Sequence, residues 1–263
     1  MGLGLIALAY TTLLMTFVAF LVVAFLGAFV QTVTGFALGM ILIALAAGMQ
    51  LVSIPVLTAT VSLLSLANVL MALRGQTQHI HFGFLRFVSF GQVPAIGLGL
   101  WLMLYLNEGQ TALLQLLLGL LVLAGSLSMM GKNPIKKDES RPVARVIAGV
   151  GGGLCGGMFS ASGPVMGWFF YRQPLPIEVI RPTLLACFGV TTSVRTLMLG
   201  VQGEINTDIV QLTAASLPMV VLGTWLGRRY APRIEPQALR RYAFGLLTLM
   251  GLVISLRAGT AFL

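Results

Sequence analysis

Two short stretches of an otherwise apolar chain carry the side chains best suited to chemistry: Thr32-Val33-Thr34-Gly35-Phe36 and Ser160-Ala161-Ser162-Gly163-Pro164. Each offers two hydroxyls, a glycine that lets a ligand approach the backbone, and the free amides of a helix expected to begin at Phe36 or Pro164. Such amides attract anions through hydrogen bonds and through the helix macrodipole. The predicted ligand is therefore a small anion. Small residues at these places also permit tight helix packing, and the two roles can coexist. Gln31, Asn68, Gln92 and Gln211 either offer amide donors to the same cavity or bridge helices. Arg195 is the one basic residue well inside an apolar segment, where an ionisable group requires a partner or a wet cavity. It is either the counter-charge of the anion or a side chain that snorkels towards the headgroups. The candidate substrate-binding set is Gln31, Thr32, Thr34, Gly35, Phe36, Asn68, Ser160, Ser162, Gly163, Pro164 and Arg195.

Other chemistries find little material. All seven acidic residues, Glu108, Asp138, Glu139, Glu178, Glu204, Asp208 and Glu235, fall in or beside loops, so no midplane carboxylate relay is visible. His79 and His81 form a His-Xaa-His pair without a third ligand close in sequence, and Cys155 and Cys187 suggest neither a disulfide framework nor a zinc site. No metal, cofactor or catalytic group is expected.

The elements that position the two stretches follow from composition. Of 263 residues, 57% are hydrophobic and 9% charged, far below the roughly 25% charged of an ordinary soluble domain. Charge-free runs such as Phe87 to Asn107 and Ile209 to Gly227 reach the length of a bilayer core. The chain reads as an all-α, polytopic membrane protein. Its net charge of +9 sits in the gaps between apolar runs, where cytoplasmic loops collect it, and gives no reason to expect nucleic acid. The N-terminus lacks a basic n-region and is kept in the fold. Apolar runs predict a long segment to about Ala47, helices near 51–73, 83–106 and 109–130, a Gly-rich segment over 146–171, and helices near 178–200, 208–227 and 238–257.

The second half repeats the first. Thr32 to Gly35 with Gly39 matches Ser160 to Gly163 with Gly167 at an offset of 128, Pro55 matches Pro182 at 127, and Pro94, Gly99 and Trp101 match Pro218, Gly223 and Trp225 at 124. This divides the chain into a first repeat (1–131), a basic linker (132–145) and a second repeat (146–263). If every apolar segment crosses the membrane, Lys and Arg divide eight against seven. If 146–171 enters and returns to the side it left, they divide fourteen against one, with Arg257 alone opposite and Arg195 inside the membrane. The second arrangement predicts, in each repeat, a broken or re-entrant hairpin plus three crossings. That odd number inverts one repeat relative to the other and places the linker in the cytoplasm. The side of the N-terminus stays open.

GAFVQTVTGFALG at 27–39 and CGGMFSASGPVMG at 155–167 resemble the paired glycine-rich signatures of the TauE/SafE sulfite exporter family of membrane permeases, also called TSUP. By this resemblance Gln31, Thr34, Gly35, Phe36, Gly163 and Pro164 occupy signature positions, while Ser160, Ala161 and Val165 depart from the pattern. The resemblance implies a permease of the bacterial inner membrane that moves sulfite, sulfoacetate or related organosulfonates, commonly outward. A site of hydroxyls and amides suits three anionic oxygens. Transporters or channels for other small anions stay open as alternatives. A membrane enzyme acting on lipid would need clustered acids or histidines that the sequence does not supply. The expected partners are the anion and membrane lipid, and a homo-oligomer is compatible with this reading.

Overall fold

A computed structural model describes residues 2–48, 52–130, 134–230 and 236–260. Lys132, Arg233 and Glu235 of the charge count lie outside the described residues, as do the side chains of Arg240 and Arg241. All the described regular structure is helical: α1 (Gly2–Thr34), α2 (Leu38–Gly48), α3 (Ile54–Leu73), a 3-10 turn (Thr77–His79), α4 (Phe82–Gly109), α5 (Thr111–Met130), α6 (Pro142–Phe159), α7 (Gly163–Phe170), α8 (Ile177–Val201), α9 (Thr207–Tyr230) and α10 (Pro236–Thr260). Seven of these, α1, α3, α4, α5, α6, α8 and α9, contain a stretch long and apolar enough to cross a membrane. The chain is a multi-pass membrane protein.

The two polar stretches are where helices stop. Gly35 takes φ +83° and Ala37 φ +113°, which ends α1 before α2 can begin. Ser160 closes α6 in the left-handed region, and α7 restarts with Pro164 in its first turn. The long segment expected to run to Ala47 is thus α1 and α2. At about 1.5 Å per residue, the 11 residues of α2 and the 8 of α7 fall well short of the roughly 30 Å bilayer core.

The second break is a hairpin that doubles back. Gly152 of α6 packs on Met166 of α7, and Gly156 packs beside Ser162. Before and after the hairpin, the Lys136 amide donates to the Arg172 carbonyl (2.9 Å) and the Ser140 amide to the Gln173 side-chain oxygen (3.0 Å). The segment therefore leaves from and returns to one surface, although α6 begins at Pro142, inside the stretch assigned to the linker.

Packing crosses between the two halves. α4 lies along α6, α1 along α9, α5 along α10, and α3 against α8 at the centre; α3 also meets α9, α8 meets α4, α2 leans on α10 and α7 on α5. The α4–α6 seam is close because side chains there would strike backbone: a Cβ at Gly91, Gly99, Gly149, Gly153 or Gly157 would sit within 2.5 Å of a facing carbonyl oxygen. Gly223 does the same between α9 and α1, against the Phe25 carbonyl.

Charged loops gather on one surface. Arg228 donates to the carbonyls of Met71 (2.6 Å) and Arg74 (2.8 Å), the His81 amide donates to Thr183 Oγ1 (2.9 Å), and Arg145 pairs with Glu139 (2.8 Å). These bonds tie the end of α9 to that of α3 and the start of α8 to His81, which itself lies 3.7 Å from Glu139 of the linker, while the Lys136–Arg172 contact joins the linker to the segment after α7. Arg257 lies elsewhere, beside Ala47, Ser53, Asn107 and Thr111.

Candidate functional site between the two helix breaks

The breaks meet inside the protein. A Cβ on Gly39 would lie 2.3 Å from the Ser160 carbonyl oxygen, and Gly163 faces the Phe36 ring. Between them is a narrow cavity of about 10 Å³, room for one water at most. Gln31, Ser65, Ser160, Ser162, Thr191 and Thr192 bring its polar side chains, and Met40 and Phe188 its apolar wall.

At the first break the polar groups are spent on the protein itself. Gln31 accepts from the Leu38 amide (3.0 Å) and donates to Asn68 Oδ1 (2.8 Å), while the Asn68 amide nitrogen reaches Thr224 (2.7 Å), Thr32 (3.1 Å) and the Ala28 carbonyl (3.2 Å). Thr32 donates to the Ala28 carbonyl, and the Thr34 hydroxyl is shared between the carbonyls of Val30 (2.8 Å) and Phe36 (2.6 Å). The Tyr171 hydroxyl donates to the Thr34 carbonyl, and its ring meets Phe36 edge-on at 5.7 Å. Two expectations are corrected here. The helix starts at Leu38 rather than Phe36, and its leading amide is capped by Gln31. The Thr32 and Thr34 hydroxyls turn back onto their own helix, because a buried hydroxyl without another partner takes the nearest carbonyl.

The second break is different. Ser160 Oγ lies 2.9 Å from Ser62 Oγ, but Ser162 Oγ is fully buried, lines the cavity and has no partner among the described residues. Behind Ser62 stands Arg195, with no exposed surface. It donates from Nε to the Gly157 carbonyl (2.9 Å), from Nη1 to the Thr58 carbonyl (2.7 Å) and Ser62 Oγ (2.6 Å), and from Nη2 to Thr58 Oγ1 (2.8 Å). No carboxylate pairs with it among the described residues. Arg195 therefore does not snorkel; it holds an uncompensated positive charge in the core, one hydroxyl removed from Ser160.

Of the sequence-derived set, Gln31, Ser160, Ser162 and Gly163 line the cavity, and Phe36 abuts it. Thr32, Thr34, Asn68 and Arg195 stand behind it, Pro164 packs on Gly125, and Gly35 rests on the backbone of Arg181. Gln92 bonds to Thr191 and the Cys187 carbonyl, behind the cavity wall, whereas Gln211 is exposed and serves no cavity.

The sequence pattern of the sulfite exporter TauE/SafE family matches residues 19–254. A protein of Cupriavidus necator named "Probable sulfite/organosulfonate exporter TauE" is 40% identical over 235 residues, 89% of this chain and 92% of that one. The chain belongs to the TauE/SafE sulfite exporter family. No solved structure matches it. As a member of this exporter family it is a membrane transporter and not an enzyme.

Sequence reading of this TauE/SafE chain missed Thr58, Ser62, Ser65, Thr191 and Thr192. The signal was present: Thr58, Ser62, Ser65 and Asn68 recur at helical spacing on α3, and Thr191 and Arg195 stand one turn apart on α8. Each is a lone polar residue among apolar neighbours, so only the helical period joins them.

Proposed function

We propose that this protein is a permease for small sulfur-containing anions, sulfite or organosulfonates, and that it moves them outward across a bacterial inner membrane. The anion binds between the two breaks, near the middle of the bilayer, and the breaks must part to admit it, because the cavity as it stands holds one water at most. The observation that carries this reading is Ser162 Oγ, a buried donor with no partner that faces the cavity. Leaving such a group unsatisfied costs about 1–3 kcal/mol, a cost that an anion's oxygen would remove. The Arg195 charge behind Ser62 and Ser160 favours negative over neutral ligands. The apolar wall of Met40 and Phe188 suits the methylenes of an organosulfonate. Export follows the name of the relative in Cupriavidus necator.

In this reading the chain is two inverted repeats, each a hairpin plus three crossings, joined by the 132–145 linker. Exchanging α1 to α5 for α6 to α10 turns the α1–α9 contact into α6–α4, α3–α9 into α8–α4 and α2–α10 into α7–α5, and leaves α3–α8 and α5–α10 unchanged; all these contacts occur. The basic surface is cytoplasmic by the positive-inside rule.

Proteoliposomes loaded with labelled sulfite or sulfoacetate test the function: efflux above protein-free vesicles is expected, and none for a panel of such anions would remove the reading. Orientation is tested separately. A cysteine at exposed Glu178 in sealed cells is expected to resist an impermeant thiol reagent added outside, and its labelling would invert the topology.

A further inference from the structure

A cleft of about 520 Å³ opens between the C-terminal ends of α3 and α9, walled by Met71, Arg74, Trp225, Arg228 and Arg229. Three arginines line it, and among the described residues no acidic group does. Arg228 is held in place by the Met71 and Arg74 carbonyls, and Arg229 lies 5.5 Å from the centre of the Trp225 ring. The Arg74 side chain is exposed. One turn up from Trp225, Leu222 is exposed on the apolar flank of α9, so the cleft sits where apolar helix surface gives way to the basic surface. Half-exposed tryptophan marks this boundary in membrane proteins, and arginine clusters just beyond it attract anionic headgroups.

We propose that this cleft binds the phosphate of an anionic phospholipid from the leaflet facing the basic surface. The phosphate oxygens take bidentate bonds from Arg74 and Arg229, and an acyl chain runs along Trp225 and Leu222. The bound lipid would bridge α3, which carries Thr58, Ser62 and Asn68, to α9, which carries Thr224.

The test uses the full chain, with Trp101 and Trp168 replaced by Phe so that Trp225 alone fluoresces. Phosphatidylglycerol with brominated acyl chains is expected to quench Trp225 at mole fractions well below those needed with brominated phosphatidylcholine. Arg74→Gln with Arg229→Gln should weaken the apparent affinity for phosphatidylglycerol about thirtyfold, from roughly 1 kcal/mol per charge. Arg257→Gln, on another surface, should leave the preference intact. If the double glutamine variant does not fold, Arg74→Lys with Arg229→Lys retains the charge and should lose only part of the preference. Equal quenching by the two lipids, a preference that survives the double substitution, or one lost equally in Arg257→Gln would overturn the proposal. Full displacement of phosphatidylglycerol by inorganic phosphate would assign the cleft to a soluble anion instead.

Discussion

The two helix breaks share a sequence pattern and differ in what their hydroxyls do. At the first, Gln31, Thr32, Thr34 and Asn68 bond to one another and to the backbone, which holds Ala37 at φ +113°. A non-glycine residue in such a conformation costs about 1–3 kcal/mol and persists only where its surroundings fix it. At the second, Ser160 touches one hydroxyl and Ser162 none, with a buried guanidinium behind them. The same residue types thus build a closed scaffold on one side of the cavity and, on the other, leave the Ser162 hydroxyl for the anion of the proposed function. The backbones of the two breaks differ as well, with positive φ at Gly35 and Ala37 in the first and at Ser160 in the second.

Substitutions that strip each break of its support separate these roles. The largest effect is expected at Arg195. Arg195→Ala removes the guanidinium donors to the carbonyls of Gly157 and Thr58 and to the hydroxyls of Ser62 and Thr58, and breaking a buried charged cluster costs about 3–5 kcal/mol. Thermal unfolding in detergent should fall sharply and efflux should vanish; a variant as stable as the parent would refute the role given to this network.

Next is contact between the breaks. Gly39→Ala places a Cβ 2.3 Å from the Ser160 carbonyl oxygen, which forces the two tips apart. Efflux should drop by at least tenfold while the protein still inserts, as seen by its yield in membranes.

The sharpest comparison pairs Ser162→Ala with Thr34→Val. Removing the partnerless hydroxyl should weaken anion affinity about tenfold, one hydrogen bond to a charged group, with stability unchanged or raised. Removing the Thr34 hydroxyl should lower stability by about 1 kcal/mol and leave affinity near the parent value. Equal losses of affinity in both would erase the distinction between scaffold and donors. The smallest effect is expected from Ala37→Gly, which relieves the positive φ and should raise the unfolding temperature by a few degrees.

Much of this architecture could be read from residue order. The breaks, the helices and the doubling back of 146–171 follow from glycines, charge-free runs and the count of Lys and Arg, since a bilayer imposes its length and its charge bias directly on sequence. Four of the eleven site residues, Gln31, Ser160, Ser162 and Gly163, line the cavity. Thr32 and Thr34 turn to their own backbone for a reason composition does not carry: a hydroxyl serves a ligand or its own helix carbonyl with the same sequence, and only rotamer and neighbours decide. Arg195 could be marked as unusual but not located, because burial depends on helices that meet from opposite halves of the chain.

That crossing between halves sets how the molecule can be cut. The hairpin α6–α7 is seated on α4, and α1 is seated on α9, through glycines that admit no spacer. In the proposed two-repeat reading each half thus lends the other its packing surface. Severed within residues 134–141 and produced as two polypeptides, the halves should each be degraded alone and survive together, recovered as one complex by a tag on either fragment.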